Sequence, residues 1–521
     1  MKTLISTMAL VLLAGCGGDS AAPDHPPVAV DPPALPVPVP DLPSTPAPAE
    51  PPATQPPTTQ PPVAGPPIIE PPATEPPAAD PIANLLHYMN RCVARPNSLP
   101  GTLRDEQTFL RLWIDETYLW YREVPSADMG AHDSATGYFD VLKTPLLTPA
   151  GQPKDRFHFS YPEARWIELS AGVERGYGIG WLRAAGVPRD WRIATVADGS
   201  SAALAGLRRG DRLVQVDGID FASAAGADLD MVNAALSPAA DGVTHRFSLQ
   251  RGERMLQAAL VSARVSVAPV QNTRVIATPS GPVGYLTFGS HVVPAEPQLV
   301  AAFTTLRDAG VRDLVLDLRY NGGGLLSIAS EVGYMIAGAR SEGRTFEHTL
   351  VNDKLTPRPP APFATRSQQS GQPLPTLNLA RVYILAGPGT CSASESIINA
   401  LRGIDVDVHL VGERTCGKPY AFTPTTNCGT TYFAIQFQGV NAKGYGEYGD
   451  GFAPTCAASD DLDHALGDSA EGMLATALHH RASGACPKPA AARSAARVPA
   501  LSPSLLPVRP AASEIAVHDL R

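Results

Sequence analysis

Two side chains stand out for the chemistry their surroundings allow. Ser392, within Thr390-Cys391-Ser392-Ala393-Ser394-Glu395, stands where a strand-like apolar run gives way to a helix-like one. A serine at such a junction lies beside the unpaired N–H groups of a helix N-terminus, which suit a developing oxyanion. Ser followed three residues later by Glu is also a capping box, and taken alone that ordinary role is the default. Serine is a poor nucleophile at its own pKa and needs a base. A lysine can serve only if burial holds its ammonium several units below about 10.4. Lys418 lies between Thr415-Cys416-Gly417 and Pro419-Tyr420, an uncharged and tight setting that meets this requirement. Taken alone, it reads as an ordinary surface lysine.

The elements that must position these groups are legible from periodicity. Residues 83–170 read as an N-terminal helical subdomain: Leu103, Phe109, Leu112, Trp113, Thr117 and Trp120 recur near helical spacing, with Thr102 and Asp105 able to serve the helix start. A second helical piece is expected in the run from Ser134. Residues 171–268 change to short β-like runs split by glycines, a compact β module. Residues 269–486 alternate strands and helices, and the run from Val311 to Arg319 is apolar enough for a buried parallel strand. The fold class is therefore multidomain α/β.

The stretch from Ala194 to Phe221 carries a turn, a short helix over Ser201–Ala205, the tight Ala205-Gly206-Leu207, then Gly210-Asp211 and a strand ending at Asp217-Gly218. In that order these features resemble a PDZ domain of the protease-associated kind. The resemblance places a carboxylate-binding loop at Gly178, Ile179 and Gly180. Glycines there let successive N–H groups converge on a carboxylate, while the neighbouring strand edge takes up an extended peptide.

Three further pieces follow in order: Asp317-Leu318-Arg319-Tyr320-Asn321-Gly322-Gly323-Gly324-Leu325-Leu326, the Ser392 segment, and Gly412-Glu413-Arg414-Thr415-Cys416-Gly417-Lys418. Behind a PDZ signature, they resemble the carboxyl-terminal processing (tail-specific) protease family of Ser/Lys peptidases over essentially all of residues 100–460. The resemblance implies a protease domain of the ClpP/crotonase-type fold, Ser392 as nucleophile and Lys418 as base. It implies an oxyanion hole from the N–H groups of Gly323 and Ala393. Gly322 aligns where relatives often carry proline, which has no N–H. Ser394 falls where the family has a structural serine. The partners implied are protein or peptide substrates, caught through their C-termini. One departure is that Phe422 stands where many relatives carry a glutamine thought to orient the lysine; Thr423, Thr425 and Thr426 are nearby polar alternatives.

An α/β-hydrolase would need a G-x-S-x-G elbow, which Thr390-Cys391-Ser392-Ala393-Ser394 is not. An inactive, peptide-binding PDZ scaffold is the other alternative, its one support the missing glutamine. With 41 Lys+Arg against 50 Asp+Glu, a net charge of −9, the chain offers no footprint for nucleic acid.

Residues 1–15 read as an export signal, and Leu13-Ala14-Gly15-Cys16 resembles the lipobox of bacterial lipoproteins, with Cys16 lipidated. A bacterial cell-envelope location follows, anchored in a membrane through Cys16; Gly17 and Gly18 favour the outer membrane, facing the periplasm or the exterior. Residues 16–82 are a Pro-rich spacer and 487–521 a Pro/Ala/Ser-rich tail, both expected to be disordered. Six further cysteines, Cys92, Cys391, Cys416, Cys428, Cys456 and Cys486, favour disulfides over metal in an exported chain, and no metal or cofactor is expected. Sequence does not select among the pairings. The pair expected here is Cys416–Cys428, which would steady the Lys418 segment in place of the missing glutamine. Oligomeric state is not legible.

Overall fold

The computed structural model describes residues 81–488, except 94, 150 and 185–187, together with 506–508 and 516–517. The chain divides into Met1–Glu75 and Pro76–Arg521, and all described residues belong to the second unit. The export signal, Cys16 and nearly all of the spacer lie outside the described residues.

A six-stranded sheet forms the centre, in the order 270–276, 283–288, 313–317, 381–386, 407–412, 456–457. The first pair is antiparallel and the rest are parallel. Both faces are covered, as parallel strands require. Leu314 and Leu316 point into the larger core beneath helices Ala295–Asp308, Leu326–Ala337 and Ala393–Gly403, while Val315 packs on the other face with Tyr383, Val411 and the helix Gly472–Ser483. This alternation is the two-residue period of a strand read from both sides.

The β module is an antiparallel sheet in the order 254–261, 244–251, 212–216, 191–196, 179–183, 506–508, packed around Ile193, Leu213, Val232, Phe247 and Leu249. The short helix covers Ser201–Leu204, capped by the Ser200 hydroxyl, and a longer one spans Ala227–Leu236. The tail expected to be disordered thus contributes Leu506–Val508 to this sheet, and Ala516–Val517 pairs with Gly324–Leu325. Its composition cannot build a core, but strand addition needs only backbone groups and a waiting edge.

The expected N-terminal helix spans Leu103–Thr117, closed by a reciprocal Thr102–Asp105 capping box. The second helical piece is only Ala135–Phe139. These helices share one core with the protease segment 420–435: Phe109, Trp113 and Phe139 pack with Phe422, Tyr432 and Phe433. The strand Phe159–Pro162 also pairs with Thr430–Phe433. The helical region is therefore a wall of the α/β domain.

Candidate active site

The strand Arg381–Ala386 delivers the chain to the turn before Ser392. That turn is fastened from both sides. Thr390 Oγ1 donates to Leu318 O (2.8 Å) and accepts from Gly387 N (3.0 Å). Asn321 O accepts from Cys391 N (3.0 Å) and from the Ser394 hydroxyl (3.1 Å). Held in this way, Ser392 adopts φ 59°, ψ −117°, a backbone state that costs a non-glycine residue roughly 1–3 kcal/mol. It begins the helix Ala393–Gly403, and its Oγ is fully buried with no hydrogen-bond partner among the described residues. Ser394, the competing serine, has its hydroxyl committed to structure.

Glu395 does more than cap. Its fully buried carboxylate accepts from Ser392 N (3.0 Å), Lys418 N (2.8 Å), Gly417 N (2.9 Å) and the Thr415 hydroxyl (2.6 Å). Burial pushes the carboxyl above the ordinary glutamate range, against the pull of these donors. One side chain thereby lashes the serine turn to the lysine loop. Gly417 has φ +83°, and a Cβ there would sit 2.2 Å from Gly449 O, so only glycine lets the loop turn in before Lys418.

Lys418 is 1% exposed. Its Nζ lies 4.4 Å from the Phe157 ring centre and 4.3 Å from that of Phe422. The phenylalanine that replaces the family's glutamine is thus one half of an aromatic clamp on the lysine, and the helical region supplies the other half. Arg156, beside Phe157, holds the same loop by donating from Nη2 to Cys416 O (2.7 Å). The hydroxyls of Thr425 and Thr426 bond to Thr423 O and Thr431 instead.

The expected Cys416–Cys428 bridge does not form. Cys416 joins Cys391, Cys428 joins Cys92, and Cys456 joins Cys486. The reason is tertiary: Cys391 precedes the serine, and Glu395 draws the lysine loop against that turn, leaving the Cα atoms of Cys391 and Cys416 5.3 Å apart. Cys428 instead faces the N-terminal region, whose Asn90 N–H donates to Asn427 Oδ1 (2.7 Å). The covalent restraint expected for the lysine segment is present, but it ties that segment to the serine turn.

The oxyanion expectation needs a similar correction at Gly323. Its N–H donates to Asn321 Oδ1 (2.9 Å), so in this conformation it is not offered to a ligand. Asn321 Nδ2 donates to Phe288 O (2.9 Å), which identifies Oδ1 as the acceptor for both Gly323 and His291 Nδ1 (3.0 Å). His291 is therefore the Nδ1–H tautomer. Burial drives its pKa down to about 3, leaving Nε2 neutral, buried and without a hydrogen-bond partner among the described residues. Ala393 is the first residue of the helix, so its N–H has no partner within the helix.

Gly178, Ile179 and Gly180 lead into the strand Ile179–Arg183. Gly178 has φ +78°, and a Cβ there would meet Ser200 Cβ at 2.2 Å. A cleft of ≈ 710 Å³ runs from this loop, past Trp181 and His291, to Gly323 and Gly324. Across it the two modules are joined by Arg209, whose guanidinium bonds to Tyr320 and Asp460. Arg319 is buried among Asp317, Asp460 and Glu471 (2.9, 2.7 and 2.8 Å), which fixes the segment entering the glycine run.

Sequence reasoning missed Phe157, Asn321, His291 and the hub role of Glu395. Only Glu395 carried a local signal, its capping-box spacing. The others act through positions distant in the chain.

The structure is thus a helix-flanked, mostly parallel sheet bearing a buried serine and lysine, with a PDZ-like β module beside it. Residues 282–446 match the model of peptidase family S41, and residues 192–246 match that of PDZ domains. The chloroplastic C-terminal processing peptidase of Tetradesmus obliquus is 31% identical over 54% of this chain and 59% of its own length. The carboxyl-terminal-processing protease of Synechocystis sp. is 26% identical over 42% of this chain and 47% of its own. The chain spans about half the length of the curated relatives it matches. A solved S41-type structure from Bacteroides fragilis shares the fold with TM-score 0.56 at 22% identity, covering 75% of this chain and 99% of that one. Residues 282–446 are thus similar to peptidase family S41, and the relatives matched are named as carboxyl-terminal processing proteases.

Proposed function

We propose that the protein is a serine-type endopeptidase that cleaves exported proteins with a Ser392/Lys418 dyad, using its PDZ module to hold substrate C-termini. The observation that carries this reading is the Glu395 hub. A buried carboxylate that binds the N–H groups of Ser392 and Lys418 together has no structural purpose that an apolar core would not meet more cheaply.

In this reading Ser392 Oγ attacks the scissile carbonyl carbon while neutral Lys418 takes its proton. Lys418 is nearly fully buried, and this step needs its amine neutral. Negative charge gathers on the former carbonyl oxygen, beside the Ala393 N–H and, once Gly323 lets go of Asn321, a second N–H. Collapse breaks the C–N bond, and Lys418 returns the proton to the departing amine. Water, deprotonated by the same lysine, then attacks the ester, and Ser392 is regenerated.

The cell-envelope location rests on the sequence alone, through Leu13-Ala14-Gly15-Cys16. The test of function is labelling by a fluorophosphonate serine probe, together with a comparison of protein C-termini in cells with and without the protein. Labelling that persists in Ser392→Ala refutes the nucleophile. No labelling, with intact peptide binding, identifies a scaffold.

A further inference from the structure

The segment after the protease domain meets the body at two places that a peptide substrate would use. Leu506–Val508 adds an antiparallel strand to the PDZ sheet, pairing Leu506 with Arg183, Pro507 with Leu182 and Val508 with Trp181. The pairing is antiparallel, with Val508 at the end of the strand nearer Gly180. Val508 packs on the PDZ core. Pro507 has no N–H and is tolerated because the strand is at a sheet edge.

Further on, Ala516–Val517 pairs in parallel with Gly324–Leu325, directly after the oxyanion glycines, and lies beside Tyr420–Ala421, just past Lys418. Pro507 and Val508 line the same cleft as Gly323 and Gly324. Two separate pairings thus place two pieces of one tail, the first beside the PDZ loop and the second beside the glycine run. The Gly323 N–H there donates to Asn321 Oδ1.

We propose that Leu506–Val508 and Ala516–Val517 dock in cis as a built-in competitor, two short extended stretches that occupy the PDZ edge and the strand at Gly324–Leu325 until a substrate displaces them. The proposal rests on the peptidase reading of this cleft. Tethering gives such a segment an effective concentration in the millimolar range, so a contact with a dissociation constant near 0.1 mM would raise the apparent KM of a substrate about tenfold.

The test uses the full chain carrying Val508→Asp, which places a charge against the PDZ core, with Val508→Ala as a milder companion. In a Ser392→Ala background, a fluorescein-labelled peptide of residues 503–521 binds the Val508→Asp chain about tenfold more tightly than the chain with Val508 intact, with Val508→Ala between them. Equal affinity overturns the proposal. With Ser392 present, Val508→Asp lowers KM for an unstructured peptide several-fold at unchanged kcat, and an unchanged KM also overturns it. If no variant hydrolyses any peptide, the peptidase reading fails, while the binding arm still decides the docking.

Discussion

Glu395 offers a test of how the site is held, because replacing it removes no proposed reacting group. Its Oε2 serves Ser392 N and Lys418 N, and Oε1 serves Gly417 N and the Thr415 hydroxyl. In Glu395→Gln one end becomes an NH2 that cannot accept. The Thr415 oxygen also accepts from Phe452 N (2.7 Å) but has a second lone pair, so the NH2 settles on that side and leaves the Gly417 N–H unpaired. One buried unsatisfied N–H costs about 1–3 kcal/mol. Glu395→Ala leaves three N–H groups and a hydroxyl unpaired, about 4 kcal/mol or more on the same scale even if water enters to bond some of them. Urea denaturation should therefore rank wild type above Gln above Ala. Because the hub ties the Ser392 turn to the Lys418 loop, peptide hydrolysis should, on the proposed reading, lose kcat by about tenfold in Gln and 100-fold or more in Ala, with KM changed little. An Ala variant that keeps wild-type kcat, or loses stability with no loss of kcat, would refute the argument that this carboxylate aligns the pair.

Ser392→Ala and Lys418→Ala should each abolish hydrolysis, the double variant being no worse than either, since nucleophile and base act as a unit; a double loss equal to the product of the singles would contradict a shared step. Non-reducing peptide maps should show Cys391–Cys416, and Cys391→Ala/Cys416→Ala should lose about 3.5 kcal/mol in the chain-entropy model together with kcat, whereas Cys456→Ala/Cys486→Ala should lose stability alone. Burial raises the Glu347 carboxyl to about 7 from 4.5. Below pH 4.5 both states hold its proton; between there and 7 the unfolded state releases it and the folded state does not, so stability falls as pH rises, by about 3 kcal/mol in all. Urea unfolding of Glu347→Gln should lack that component, and parallel pH profiles for the two proteins would exclude it. Cys16→Ser should move the protein from the membrane to the soluble fraction; unchanged partitioning would remove the anchor.

How much of this was legible beforehand depended on whether the information was local. The strand at Val311–Arg319 announced itself because burial on both faces demands consecutive apolar residues, and the structure buries every one from Asp313 to Asp317. The helix that Ser392 begins was visible from its capping spacing. The lysine's environment was not, because Phe157 reaches it from the helical wall, and nothing near Phe157 in the sequence points to Lys418. Cysteine pairing failed for the same reason: Cys428 meets Cys92 across 336 residues, and proximity in sequence favoured a neighbour that the loop turns away.

The tail shows a different limit. Periodicity detects segments that bury a face of their own, whereas a segment that completes someone else's sheet is recognised by the edge it meets. Leu506-Pro507-Val508 carries no strand pattern, yet the edge at Trp181–Arg183 gives it one. On the proposed reading, a peptidase that accepts extended chains at two such edges is constrained to accept its own, unless the sequence after the last helix is kept free of apolar islands. Here the islands are present, in Leu505-Leu506-Pro507-Val508 and Ile515-Ala516-Val517. In this proposal, capture of substrates by backbone pairing and occupation of the cleft in cis are two consequences of one recognition chemistry. Any variant that weakens β-pairing at Trp181–Arg183 should weaken both together.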